Sequence, residues 1–224
     1  MSEHRLKLYL DSAEIALWEK YLPSGIFYGI TMNPKLLRTA GIESKIENLA
    51  TLAKKAFELG ANEVHLQVWG ESFDAWLKIA RKLSAIDRRV MVKVPLTEDG
   101  VRCAKTLIAE GVGVTLTAAH ASHQVLTAIS LDADYLAPYL GRMTDAGQEG
   151  VEEIIAMQKI INTTKSPLRL LVASIRQIDD VVTLAQHGVH SFALPPERID
   201  ELLKNRLTQR AAESFENDAK WASN

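Results

Sequence analysis

A single cysteine among 224 residues rules out any intrachain disulfide and fits a reducing compartment. No stretch approaches the roughly twenty consecutive apolar residues of a membrane-spanning helix. The N-terminal MSEHRLKLYLDS lacks a long apolar run followed by a cleavage site, so a cytoplasmic protein without a secretory leader is expected. Neither charge sign dominates: 26 Lys and Arg stand against 28 Asp and Glu, a net charge of -2. That lacks the basic excess of a nucleic-acid binder, and the doublet Arg88-Arg89 beside Asp87 reads as a solvated loop. His120 and His123 are three apart on an expected helix, but no H-x-x-x-H or Cys/His set accompanies them, so no metal site is expected. There is no G-x-G-x-x-G after the first strand, no phosphate-binding P-loop and no serine nucleophile elbow. The lone Cys103, inside VRCAKTLIAEG, reads as a small buried helix residue.

What the chain does have is a recurring unit. A helical pattern stops at glycine and a β-rich run follows, as in AFELG-ANEVHLQV (Gly60), LIAEG-VGVTLT (Gly111) and LAQHG-VHSFAL (Gly188). Glycine suits the position because the residue after a helix often turns left-handed. Extending the pattern predicts eight strands: 6–10, 27–31, 63–68, 90–94, 113–117, 135–137, 168–173 and 191–194. Helices are predicted between them, among others over 12–21, 45–59, 72–83, 99–110, 120–130, 150–162, 178–187 and 196–204. Runs such as VMVKV and LRLLVAS are nearly continuously apolar, as parallel strands buried on both faces should be. No linker or low-complexity tract divides the chain. The expected fold is a single-domain α/β (β/α)8 TIM barrel over residues 1–205, with a C-terminal helical tail over 206–224; an open doubly wound sheet is the alternative. The tail carries Leu207, Phe215 and Trp221 among polar residues, which reads as an amphipathic helix against its own barrel.

In such a barrel chemistry sits where the strands end. Collecting polar residues there gives Asp11, Thr31 with Asn33, Gln67, Lys93, Thr117, Tyr139 with Arg142, and Ser174 with Arg176. Lys93 stands out as the only charged residue in VMVKVP. Burying an ammonium is costly, and a lysine amine relieved of its charge attacks carbonyls; the alternative is a side chain that snorkels to water. Asp11 could equally cap a helix starting at Ser12, and Asn33-Pro34 could be turn chemistry alone. Thr117 could be an ordinary strand residue and Tyr139 a packed aromatic. Arg142, Ser174 and Arg176 have the donors of an anion site, and the glycine before Arg142 allows a close approach.

These segments, in this order and spacing, resemble the small transaldolase and fructose-6-phosphate aldolase family along nearly the whole chain: LYLDSA, GITMNP, HLQVWG, MVKVPLTEDG, VTLTAAHASHQ, YLAPYLGRM and LVASIR. The resemblance implies a (β/α)8 barrel with Lys93 as Schiff-base former and no cofactor. It implies Asp11 as acid/base, Thr31 and Asn33 at the substrate hydroxyls, and Gln67, Thr117 and Tyr139 around a catalytic water. Arg142, Ser174 and Arg176 would hold the phosphate of a small sugar phosphate. It also implies a homo-oligomer, in the family often a decameric ring, in which the tail reaches a neighbouring subunit. Within the family Gln67 and Tyr139 match the aldolase pattern, where transaldolases usually carry Glu and Phe. The expected reaction is therefore cleavage of fructose 6-phosphate to dihydroxyacetone and glyceraldehyde 3-phosphate. Transfer of the dihydroxyacetone unit between sugar phosphates (pentose phosphate pathway) is the alternative, and a non-covalent sugar-phosphate-binding barrel a further one. His120 replaces a common aromatic, and Met32 and Trp69 also depart from the pattern, which bears on substrate choice.

Overall fold

Eight parallel strands close on themselves in sequence order, each paired with its neighbours and the last with the first. They are β1 (Lys7–Asp11), β2 (Phe27–Thr31), β3 (Glu63–Gln67), β4 (Val90–Pro95), β5 (Val114–Ala119), β6 (Tyr135–Pro138), β7 (Arg169–Val172) and β8 (Ser191–Leu194). The computed structural model describes residues 6–221; His4 and the outermost residues of the expected barrel and tail segments lie outside that range. Eleven α-helices are described: α1 (Ile15–Tyr21), α2 (Pro34–Thr39), α3 (Ile46–Glu58), α4 (Phe73–Ser84), α5 (Glu98–Ala109), α6 (Gln124–Ser130), α7 (Leu140–Asp145), α8 (Gly150–Thr164), α9 (Ile178–Gln186), α10 (Pro196–Leu203) and α11 (Arg206–Trp221). The fold is thus a (β/α)8 barrel with an added C-terminal helix.

The reasons are local. Gly60, Gly111 and Gly188 take φ of 100°, 76° and 88°, so the glycines that end the helical patterns do adopt the left-handed turn into the next strand. Side chains of Ser72 and Thr97 accept from the backbone N–H of Ala75 and Gly100, starting α4 and α5. One apolar layer lies between strands and helices and includes Trp18, Leu49, Leu83, Leu107 and Phe192. A second, smaller one fills the barrel itself, with Tyr9, Met91, Tyr135 and Leu171.

Three expectations need correction. The helix expected from Ser12 begins at Ile15, because the Ser12 hydroxyl accepts from the Glu14 N–H and holds the intervening residues in a turn. The helix expected from His120 begins at Gln124, whose side-chain carbonyl accepts from the N–H of His120 and Ala121 while Ala118 sits at φ 62°. His120 and His123 therefore share no helix face, and no metal-binding cluster of His, Cys, Asp or Glu occurs among the described residues. Finally, α11 buries no residue: Leu207, Phe215 and Trp221 are 70%, 70% and 84% exposed. Its apolar side does not lie on its own barrel. No described helix is long and apolar enough to cross a membrane.

Candidate active site

Lys93 is set deep in the barrel by β4, a strand of three valines, a methionine, the lysine and a proline, and is only 3% exposed. In register it pairs with Gln67 on β3 and Thr115 on β5, so these side chains share its face. The same alternation brings Asp11 from β1 opposite Thr31 from β2. The Thr31 hydroxyl donates to Asp11 Oδ1 at 2.5 Å. Asp11 thus caps no helix; its carboxylate is an inner-face group tied across two strands. Burial pushes the Asp11 carboxyl up from the ordinary carboxylate range, against the pull of Lys93 and the Thr31 hydroxyl, and Glu197 adds to the rise.

A cavity of about 460 Å³ opens above these groups, lined by Asp11, Asn33, Lys35, Gln67, Lys93, Tyr139, Arg142 and Ser174 with Pro34, Leu36 and Ala173. Seven of the ten residues collected from the sequence share this one space. The other three stand behind it or beside it. Thr31 holds Asp11, and Thr117 donates to the Tyr139 hydroxyl at 3.1 Å. Arg176 is turned to Asp145, with which it forms an exposed ion pair at 2.5 Å. A groove of about 520 Å³ beside α3, lined by Lys54, Phe57, Ile86 and Arg89 among others, is larger, but its lysine is exposed and faces Glu58, so size alone does not select the site.

Several details shape the polar wall of this cavity. Gln67 Oε1 is buried and accepts no hydrogen bond, an acceptor left for an incoming donor. Ser174 holds a left-handed φ of 59°, a strain that persists only where the surroundings demand it. The demand comes from the segments that follow β6 and β7: Gly141 N–H, in the first turn of α7, donates to the Ser174 carbonyl at 2.9 Å. A Cβ on Gly141 would fall 2.5 Å from that carbonyl and from Arg176 Nε. Only glycine lets the Arg142 and Ser174 loops approach so closely. Asn33 Oδ1 caps α2 by accepting from Leu36 N–H at 3.1 Å, and the residue also borders the cavity.

Sequence reasoning missed Lys35 on the cavity wall and Glu197 acting on Asp11. The signal for Lys35 was present: Asn33-Pro34 is a cap followed by proline at the first helical position, which starts a helix at the mouth. Glu197 had no local signal.

Residues 8–224 match the family described as Transaldolase/Fructose-6-phosphate aldolase. The chain belongs to this family. Family relatives include the probable transaldolase of Nitrosopumilus maritimus, 31% identical over 95% of this chain and 94% of its own. Another is the probable transaldolase of Cereibacter sphaeroides, 31% identical over 97% and 96%. The solved thiamine phosphate pyrophosphorylase from Pyrococcus furiosus superposes with a TM-score of 0.60 over 86% of this chain and 87% of its own, at 19% identity, and shares the fold alone. As a transaldolase/fructose-6-phosphate aldolase family member, the protein is a lyase or transferase of Schiff-base aldol chemistry on a ketose phosphate.

Proposed function

We propose that this family member acts as a transaldolase, moving a three-carbon dihydroxyacetone unit between sugar phosphates, with Lys93 as its Schiff-base former. The carrying observation is a buried lysine at the base of a polar cavity that also holds Asp11. The neutral Lys93 amine attacks the ketone carbon, and loss of water gives an iminium. Asp11 removes the proton from the neighbouring hydroxyl and the carbon–carbon bond breaks. Its electron pair passes into the iminium to leave an enamine, and an aldehyde phosphate departs. The enamine then attacks the acceptor aldehyde, and hydrolysis frees Lys93. Arg142 and Ser174 hold the phosphate remote from the bond and orient it; Arg176 joins them by exchanging Asp145 for phosphate. Asn33 and Lys35 border the remaining hydroxyls. The names carried by the relatives favour transfer over release.

One observation favours the second reading, release of free dihydroxyacetone. Gln67 with the Thr117–Tyr139 pair offers polar groups that could hold a water to protonate the enamine. The two separate by experiment. The protein is incubated with fructose 6-phosphate, reduced with borohydride and weighed intact. It is then assayed with and without a four-carbon aldose phosphate. Transfer predicts a three-carbon adduct and turnover that depends on acceptor by roughly tenfold or more. Equal release of dihydroxyacetone with and without acceptor favours the aldolase. No adduct from fructose 6-phosphate or dihydroxyacetone defeats both.

The tail helix supports a homo-oligomer. Leu207, Ala211, Phe215 and Trp221 recur on one side of α11, and none is covered. Covering each large side chain on a neighbouring copy would contribute about 1.5–3 kcal/mol. Truncation after Asn205 is expected to lower the sedimentation mass while leaving the circular dichroism of the barrel unchanged apart from the lost helix. An unchanged mass would refute the docking.

A further inference from the structure

His120 has no part in the chemistry proposed above, and it does not line the cavity. It packs instead on a residue that does. The half-buried imidazole lies 5.6 Å from the Tyr139 ring, centroid to centroid, at an interplanar angle of 71°. That is an edge-to-face arrangement, one of the two that aromatic rings prefer. Tyr139 lines the cavity, and its hydroxyl oxygen accepts from Thr117 at 3.1 Å. An oxygen that accepts from Thr117 keeps its own hydrogen to donate elsewhere. Gln67 Oε1, a buried acceptor without a partner, belongs to the same cavity wall. A water reaching both would accept from Tyr139 and donate to Gln67.

The backbone on both sides of this ring contact is fixed. β5 breaks register between Thr117 and Ala119, and Ala118 takes φ 62°. A residue other than glycine holds that left-handed turn only where its surroundings demand it. The irregularity ends the strand's alternation and re-aims the side chains that follow. Gln124 Oε1 then accepts from the N–H of His120 at 2.7 Å and of Ala121 at 3.1 Å. Glu153 of α8 accepts from Ser122 N–H at 2.5 Å. On the other side, Tyr139 N–H donates to the Ala119 carbonyl at 3.0 Å. The neighbours of Tyr139 divide the work: Thr117 fixes the hydroxyl end, and the imidazole braces the ring.

We propose, resting on the Schiff-base reading above, that His120 is a positioning residue: it braces the Tyr139 ring against Thr117 and so sets how often the enamine on Lys93 is protonated rather than captured by an acceptor aldehyde. Protonation takes one hydrogen from the water that Tyr139 and Gln67 hold. The enamine electron pair forms the new carbon–hydrogen bond and the nitrogen returns to iminium. The hydroxide left adds to the iminium carbon, and the resulting carbinolamine collapses to dihydroxyacetone and the free Lys93 amine. A Tyr139 ring that swings away from Thr117 no longer aims its hydrogen at that water. Protonation then slows, while capture by an aldehyde, which needs no such water, does not.

The test is a partition measurement. Wild type, His120→Ala and His120→Phe receive fructose 6-phosphate with a fixed concentration of a four-carbon aldose phosphate, and released dihydroxyacetone is measured against transferred product. The same His120→Ala change is then made in a Tyr139→Phe background, which has no hydroxyl to aim. His120→Ala is expected to lower the released-to-transferred ratio by ~3–10-fold, the scale of one aromatic pair. His120→Phe keeps a ring on Tyr139 and is expected to stay within about twofold of wild type. In the Tyr139→Phe background His120→Ala should move the ratio no further. If the alanine variant melts too low to assay, His120→Gln, which has no aromatic face, takes its place with the same expectation. A histidine that only packs the loop would lower the melting temperature and leave the ratio where it was. That result, or an equal fall in both backgrounds, overturns the proposal. A wild type that traps the borohydride adduct but releases no dihydroxyacetone also overturns it and leaves the Schiff base standing. A wild type that forms no adduct defeats the Schiff-base reading and this proposal with it.

Discussion

Lys93→Met is expected to abolish turnover, with kcat falling on the order of 10⁴–10⁶-fold, and to leave no adduct after borohydride reduction. The size follows from the role assigned. Without the amine there is no iminium, and the carbanion that forms as the bond breaks has no electron sink. The orienting groups (Asn33, Arg142, Ser174) remain, so phosphate binding should change little. Inorganic phosphate should still compete with a sugar phosphate for the variant in calorimetry. The fold should also survive. Lys93 is 3% exposed in a strand that is otherwise apolar, and methionine fills a similar length without an ammonium to desolvate. Activity within tenfold of wild type in a folded Lys93→Met protein would end the assignment.

The second large effect falls on Asp11. Asp11→Asn is expected to lower kcat by about 10²–10⁴-fold, the usual range for a lost general acid or base, with a much smaller change in KM. The same substitution should stabilise the protein at neutral pH. The folded carboxyl is held above its ordinary range, chiefly by burial. Between the unfolded and folded values the native state therefore binds more protons than the unfolded chain. The carboxyl's contribution to stability is present below the unfolded value and is lost as pH rises through the folded one. An amide does not ionise, and its oxygen can still accept from Thr31. Thermal melts should place the variant above wild type at neutral pH, by a few degrees for each ~1 kcal/mol, with the gap closing as pH falls towards ~4. A variant that melts below wild type at neutral pH would contradict the cause assigned to Asp11.

The two residues differ in how far the chain alone revealed them. Lys93 could be found by its neighbours in sequence, because a lone charge in VMVKVP is a local anomaly. Asp11 was ambiguous, since LYLDSA fits a helix cap as well as a catalytic carboxylate. The hydrogen bond from Thr31, twenty residues away, removes the cap and holds the carboxylate on the inner face of the barrel. Arg142 and Ser174 carried local hints in their glycine and serine, but their closeness depends on β6 meeting β7. Glu63 and His65 had no distinguishing signal at all. In EVHLQV they look like the polar side of a half-buried strand, and only barrel closure turns that side inward onto Tyr9 and Tyr135.

Sequence by itself determined the repeated helix-to-strand unit, the eight strands and the lysine, because each rests on interactions within a few residues: left-handed glycine stops, side-chain caps and apolar runs. Tertiary structure decided which distant side chains share a space. It put Asp11, Lys93, Tyr139 and Ser174 around one cavity, turned Arg176 to Asp145, left α11 uncovered and linked Glu63, His65 and Thr115 within the barrel. The physical reason is that a strand's alternation specifies two faces without saying which one looks inward, and partners across a barrel are set only when the last strand pairs with the first.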